Sequence, residues 1–94
     1  MARVELSEDA ARDLQRLILT HSLPQDTPER LQRRLEPLKR FPLMGPALEG
    51  PGAPYRYVLG PWRWMVVVYE HFEEQDRVVV TGILDGRSRR APTH

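Results

Sequence analysis

The sequence predicts an α+β domain in the order β-α-α-β-β-β, an N-terminal helical hairpin packed on a small antiparallel-meander sheet. Three observations carry this reading. Apolar residues recur at helical spacing through the first half, valine- and aromatic-rich runs with strand character fill much of the second, and a proline- and glycine-rich stretch separates them. With 94 residues the chain makes a single domain, 1–94, because chains divide at roughly 100–200 residues per domain.

Arg3 to Leu6 alternates polar and apolar, with Val4 and Leu6 on one side, which is the period of a short half-buried opening strand. Ser7 is placed to cap a helix, with Glu8 and Asp9 in its first turn at the positive end of the helix dipole. Ala10, Leu14, Leu17, Ile18 and His21 then form one stripe, Arg12, Asp13, Gln15 and Arg16 face water, and Pro24 ends the helix. Asp26 or Thr27, followed by Pro28 at the first helical position and Glu29, opens a second helix with Leu31, Leu35, Leu38 and Phe41 on one side. Pro37 lies inside that pattern, where it removes a backbone hydrogen bond, so a kink or an early stop is expected. Phe41 to Pro54 holds four prolines and three glycines and is the long connection.

Three strands follow: Tyr55 to Leu59, then Trp62 to Phe72 after a Gly60-Pro61 turn, then Arg77 to Leu84 after an acidic turn at Glu73 to Asp76. In the middle strand Trp62, Trp64, Val66 and Val68 share one face, and Arg63, Met65, Val67 and Tyr69 share the other. Both faces are largely apolar. The helical hairpin covers one, so a partner is expected on the opposite face.

Composition narrows the function classes. Fourteen basic against 13 acidic residues leave a formal charge of +1, so no strong net field draws the chain onto nucleic acid or an anionic membrane. No cysteine is present, which removes disulfides, cysteine-based zinc sites and thiol nucleophiles and fits a reducing compartment. The opening residues lack the apolar core of a signal peptide, and the longest apolar run, Trp64 to Tyr69, is far too short to span a membrane. A cytoplasmic protein with no membrane partner is expected. Phosphate loops, nucleophile elbows and dinucleotide fingerprints are absent, so no cofactor is expected. His21, His71 and His94 have no metal-ligand spacing, and no metal site is expected either.

Arginine dominates the basic residues and Lys39 is the only lysine, so anion recognition would use guanidinium forks. Arg87, Arg89 and Arg90 follow the last strand and, with Arg56 and Arg63, read either as a phosphate-contacting patch or as a solubilising tail with ordinary surface ion pairs. His71 reads as a proton acceptor or a solvated strand-end histidine. Tyr69, Trp62 and Trp64 read as groups that orient or stack on a nucleic acid, or as packing residues.

The run Tyr-Arg-Tyr-Val-Leu-Gly-Pro-Trp-Arg-Trp-Met-Val-Val-Val-Tyr-Glu from Tyr55 to Glu70, the acidic turn, Arg-Val-Val-Val-Thr-Gly-Ile-Leu from Arg77, and Asp-Gly-Arg at Asp85 to Arg87 resemble the RelE/ParE superfamily of bacterial toxins. The Leu-Ser-Glu-Asp-Ala-Ala-Arg-Asp-Leu opening and the leucine pattern from Leu31 to Pro42, leading to Met44-Gly45 and Leu48, extend the resemblance over almost the whole chain. It implies the toxin of a type II toxin–antitoxin pair, held inactive by a cognate antitoxin that wraps the sheet and helices. RelE-like members cut messenger RNA on the ribosome, which would make Arg63, Arg87 and Tyr69 the catalytic residues and Arg56, His71, Arg89 and Arg90 the RNA- or target-binding ones. Counting forward from Gly60 puts the family's central arginine at Arg63, whereas counting back from Tyr69 puts it at Val66, and the family's C-terminal tyrosine position falls near Thr93. ParE-like members instead inhibit DNA gyrase without that constellation, and the sparse basic site favours this alternative. A third alternative is a non-toxic relic that only binds its antitoxin. Trp62, Met65 and Val67 are the expected antitoxin contacts.

Overall fold

Ser7 leaves the first strand, β1 (Arg3–Leu6), in extended backbone, and its hydroxyl accepts from the Ala10 N–H at 3.1 Å, which starts α1 (Glu8–His21) where the cap signal places it. The helix ends at Ser22, whose left-handed backbone (φ 52°) turns its N–H back to the Ile18 carbonyl. The second helix, α2 (Thr27–Leu35), carries Pro28 in its first turn and stops just before the Glu36–Lys39 segment, a single 3-10 turn around Pro37. The computed structural model describes residues 1–48 and 54–87. Its remaining elements are β2 (Tyr55–Leu59), β3 (Met65–Phe72), a 3-10 turn at Glu73–Gln75, and β4 (Arg77–Asp85).

The four strands form one sheet in the order β1-β4-β3-β2. The antiparallel meander of β2, β3 and β4 is joined by β1, which pairs with β4 in parallel, so the sheet is mixed. Leu14, Leu17, Leu31, Leu35 and Leu38 from the helical half meet Met65, Val67, Tyr69, Val78, Val80 and Ile83 from the sheet in one core. The helices therefore cover the face that carries Met65 and Val67. On the other face Tyr57, Leu59, Val66, Val68, Val79 and Leu84 keep part of their surface exposed.

Three local features depart from the alternation read in the sequence. β3 begins at Met65 and not at Trp62, because the Gly60 N–H bonds the Met65 carbonyl at 2.8 Å and the Met65 N–H bonds the Trp62 carbonyl at 2.9 Å. Gly60 sits so close to Met65 that a Cβ there would lie 2.6 Å from the Met65 sulfur. Trp62 and Trp64 thus belong to a turn and pack against the core.

The second departure is a bulge in β4. Val68 pairs with Gly82 and Tyr69 with Val80, leaving Thr81 as the extra residue. Val78 and Val80 face the core, and beyond the bulge it is Ile83 that does so, so Asp85, opposite Met65, turns to the helix side. The third concerns Asp13, which does not simply face water. β1 pairs with β4 only as far as Val80, and beyond that point the Asp13 carboxylate accepts the Ile83 N–H at 3.0 Å.

Candidate functional site

The corner where α1 ends beside the end of β4 gathers the densest polar contacts of the described residues. Asp85, brought to the helix side by the bulge, accepts from the Arg87 backbone N–H at 2.9 Å and from its Nε at 3.2 Å, both on Oδ1. Its Oδ2 takes the Arg87 Nη2 at 3.1 Å and the His21 Nε2 at 2.9 Å. Beneath them lies Trp64: its ring stacks on His21 with centroids 4.5 Å apart and supports the Arg87 guanidinium at 5.0 Å. The Arg87 fork holds the Asp85 carboxyl well below the usual carboxylate range, a pull that exceeds the opposing effect of desolvation and is reinforced by His21. The same contact raises Arg87 above the usual arginine range.

Tyr69 and Arg56, paired across β3 and β2, lie together but under a lid of chain. Tyr69 is fully buried, and its hydroxyl accepts the Gly45 N–H at 3.0 Å. Burial pushes its pKa up, against smaller lowering effects of that hydrogen bond and of Arg56. Arg56 donates to the Gly45 carbonyl at 2.7 Å and to that of Leu43 at 3.4 Å. Both ends of one peptide segment are thereby held. Gly45 has to be glycine, since an added Cβ would collide with the Tyr57 carbonyl and lie 2.9 Å from the Tyr69 hydroxyl.

Of the other expected residues that the structure describes, only Trp62 reaches a cluster, its ring stacking on Trp64 with centroids 6.3 Å apart. Arg63 is exposed in the turn between the two tryptophans, and Trp62 lies under Arg30 of α2, 5.8 Å from its guanidinium. His71 sits toward the opposite end of β3, beside Ala2, Lys39 and Asp76 around an open depression. Met65 and Val67 are wholly inside the core, which corrects their assignment as antitoxin contacts: the helices landed on their side of the sheet. Arg89 and Arg90 lie outside the described residues. Among the described residues no group of three or more His, Asp or Glu side chains is placed to hold a metal ion. Asp85 and His21 are the site residues that sequence reasoning missed, because they lie 64 positions apart; the Asp13 contact with Ile83, 70 positions away, was missed for the same reason.

The family model of the ParE toxin of the type II toxin–antitoxin system parDE matches residues 4–90. The chain belongs to the ParE toxin family. No curated protein matches it in sequence. Among solved structures, this ParE-family chain is similar to the isolated E. coli RelE toxin (16% identity, 97% of this chain and 88% of that one covered, TM-score 0.68). It is similar also to the intact E. coli RelBE toxin–antitoxin complex (15% identity, 90% and 96% covered, TM-score 0.67). A third likeness is to the RelBE2 toxin–antitoxin complex of Mycobacterium tuberculosis (24% identity, 89% and 90% covered, TM-score 0.61). At these identities the likeness concerns the fold.

Proposed function

We propose that this ParE-family toxin arrests bacterial growth by inhibiting DNA gyrase in the cytoplasm, without cutting RNA, and that its cognate antitoxin covers the free face of the sheet. One observation carries the reading: of the three side chains that a nuclease would enlist, Tyr69 is buried and Arg87 is paired with the chain's own Asp85, while Arg63 stands exposed in the turn ahead of β3, apart from both. In-line cleavage of RNA needs a proton acceptor and unengaged cations at the crowded phosphate. Tyr69 is sealed in the core with its pKa raised, the Arg56 Nη1 donates to two backbone carbonyls, and the Arg87 fork is paired with Asp85. A gyrase inhibitor requires none of these groups. It needs surface, on the order of 800 Å² per partner for a stable contact. Leu59, Val66, Val68 and Leu84 on the free face supply apolar surface of the kind an antitoxin would cover.

The alternative, a RelE-like messenger RNA endonuclease, is favoured by one observation, the position of Arg87 just past the last strand. Induction in bacteria without antitoxin separates the two. Gyrase-dependent DNA breaks, an SOS response and loss of supercoiling by purified gyrase are expected, with intact messages. Rapid in-frame messenger RNA cuts with unimpaired gyrase would overturn the proposal in favour of the nuclease.

A further inference from the structure

Among the described residues, four donors from Arg87 and His21 converge on the Asp85 carboxylate at the end of β4. The Arg87 side chain engages Asp85 with Nε on one oxygen and Nη2 on the other, the fork that arginine also presents to phosphate. The Arg87 backbone N–H adds a third donor and the His21 Nε2 a fourth. The Thr20 hydroxyl lies 2.9 Å from His21 Nδ1, so with Nε2 protonated the imidazole accepts from Thr20 and donates to Asp85. Trp64 underlies both His21 and Arg87 and fixes their planes. Arg87 keeps 63% of its side-chain surface exposed while Asp85 keeps 11%, so the cation is open to solvent and the anion is the buried member.

We propose that Arg87, His21 and Trp64 form a phosphate-binding site which the chain's own Asp85 carboxylate occupies, and that Asp85 is the residue that closes it to phosphate. The donors are arranged as a phosphate requires, and the resident anion satisfies them in its place. A phosphate arriving at Arg87 meets a fixed negative charge within contact distance and loses the competition to a group that is tethered two residues away. Replacing that charge leaves the fork, the backbone N–H and the imidazole facing a neutral group. This site stands on its own geometry, whichever target the toxin has.

The test uses the full-length chain and its Asp85→Asn variant, titrated with inorganic phosphate and with a short single-stranded RNA oligonucleotide while the Arg87 Nε–H resonance is followed by NMR. In the unaltered chain the resonance stays in place. In Asp85→Asn it moves and saturates, with affinity at least about tenfold tighter, and the further change Arg87→Ala abolishes the gain. A gain larger for the oligonucleotide than for phosphate assigns the site to an RNA phosphodiester, and equal gains assign it to free phosphate. A folded Asp85→Asn protein that binds no tighter overturns the proposal, as does a gain that survives loss of Arg87. Asp85→Ser, which removes the carboxyl group and opens the space it fills, tests the same site should the asparagine variant fail to fold. The unaltered chain decides independently, because movement of its Arg87 resonance with phosphate refutes closure by Asp85.

Discussion

Tyr69→Phe separates a structural tyrosine from a catalytic one. The substitution keeps the ring in its fully buried place and removes only the hydroxyl, which accepts the buried Gly45 N–H at 3.0 Å. Arg56 holds the carbonyl of the same glycine at 2.7 Å, so the variant leaves one side of the Gly45 peptide anchored and the other without its acceptor. A buried donor left unpaired costs about 1–3 kcal/mol. For a domain of this size each kcal/mol moves the midpoint by roughly 4–8 °C, so thermal denaturation followed by circular dichroism should show a fall of roughly 5–20 °C. Growth arrest on induction should persist below the lowered midpoint, because the proposed gyrase inhibition needs no proton transfer from this group. A melting curve that coincides with the parent's, together with loss of toxicity, would refute the reasoning and return Tyr69 to the target-contacting residues.

Two further outcomes follow from the same contacts. Asp13→Ala deprives the part-buried Ile83 N–H of its acceptor and should lower stability in denaturant by about 1–2 kcal/mol, whereas Asp13→Asn, which keeps an oxygen there, should lose less; equal losses would show that the hydrogen bond is not the cause. Asp85, held below the carboxylate range first by the Arg87 side chain, contributes stability that is complete above the unfolded-state value of about 3.9 and is lost only as the pH falls through the lower folded value. Its carboxyl carbon resonance should therefore remain that of the ionised form through pH 4 down to about 3, and a midpoint near 4 would contradict the clamp.

The features legible in the sequence are those decided within a few residues. The Leu14, Leu17, Leu31 and Leu35 stripes, the Ser7 cap and the stop ahead of Pro37 depend on spacing and on single-residue chemistry, and each stands where it was read. Which face of β3 is buried was not legible. Val66 and Val68 are as apolar as Met65 and Val67, so the choice falls to the helices that pack on the sheet. The parity of the candidate site depended on something smaller still. Gly82 signals a bulge or a close approach in a strand, but not which neighbour becomes the extra residue. That residue is Thr81, and its insertion exchanges the faces of everything after it. An uninterrupted alternation from Val78 and Val80 would have turned Leu84 inward and Asp85 to the opposite face, out of reach of His21. With the bulge, Asp85 meets the end of α1, Arg87 closes over it, and a cation that the sequence offered to a target becomes half of an internal pair. The pairing of Arg87 with Asp85 and His21 is thus set by one inserted residue in a strand, a feature that motif order alone does not reveal.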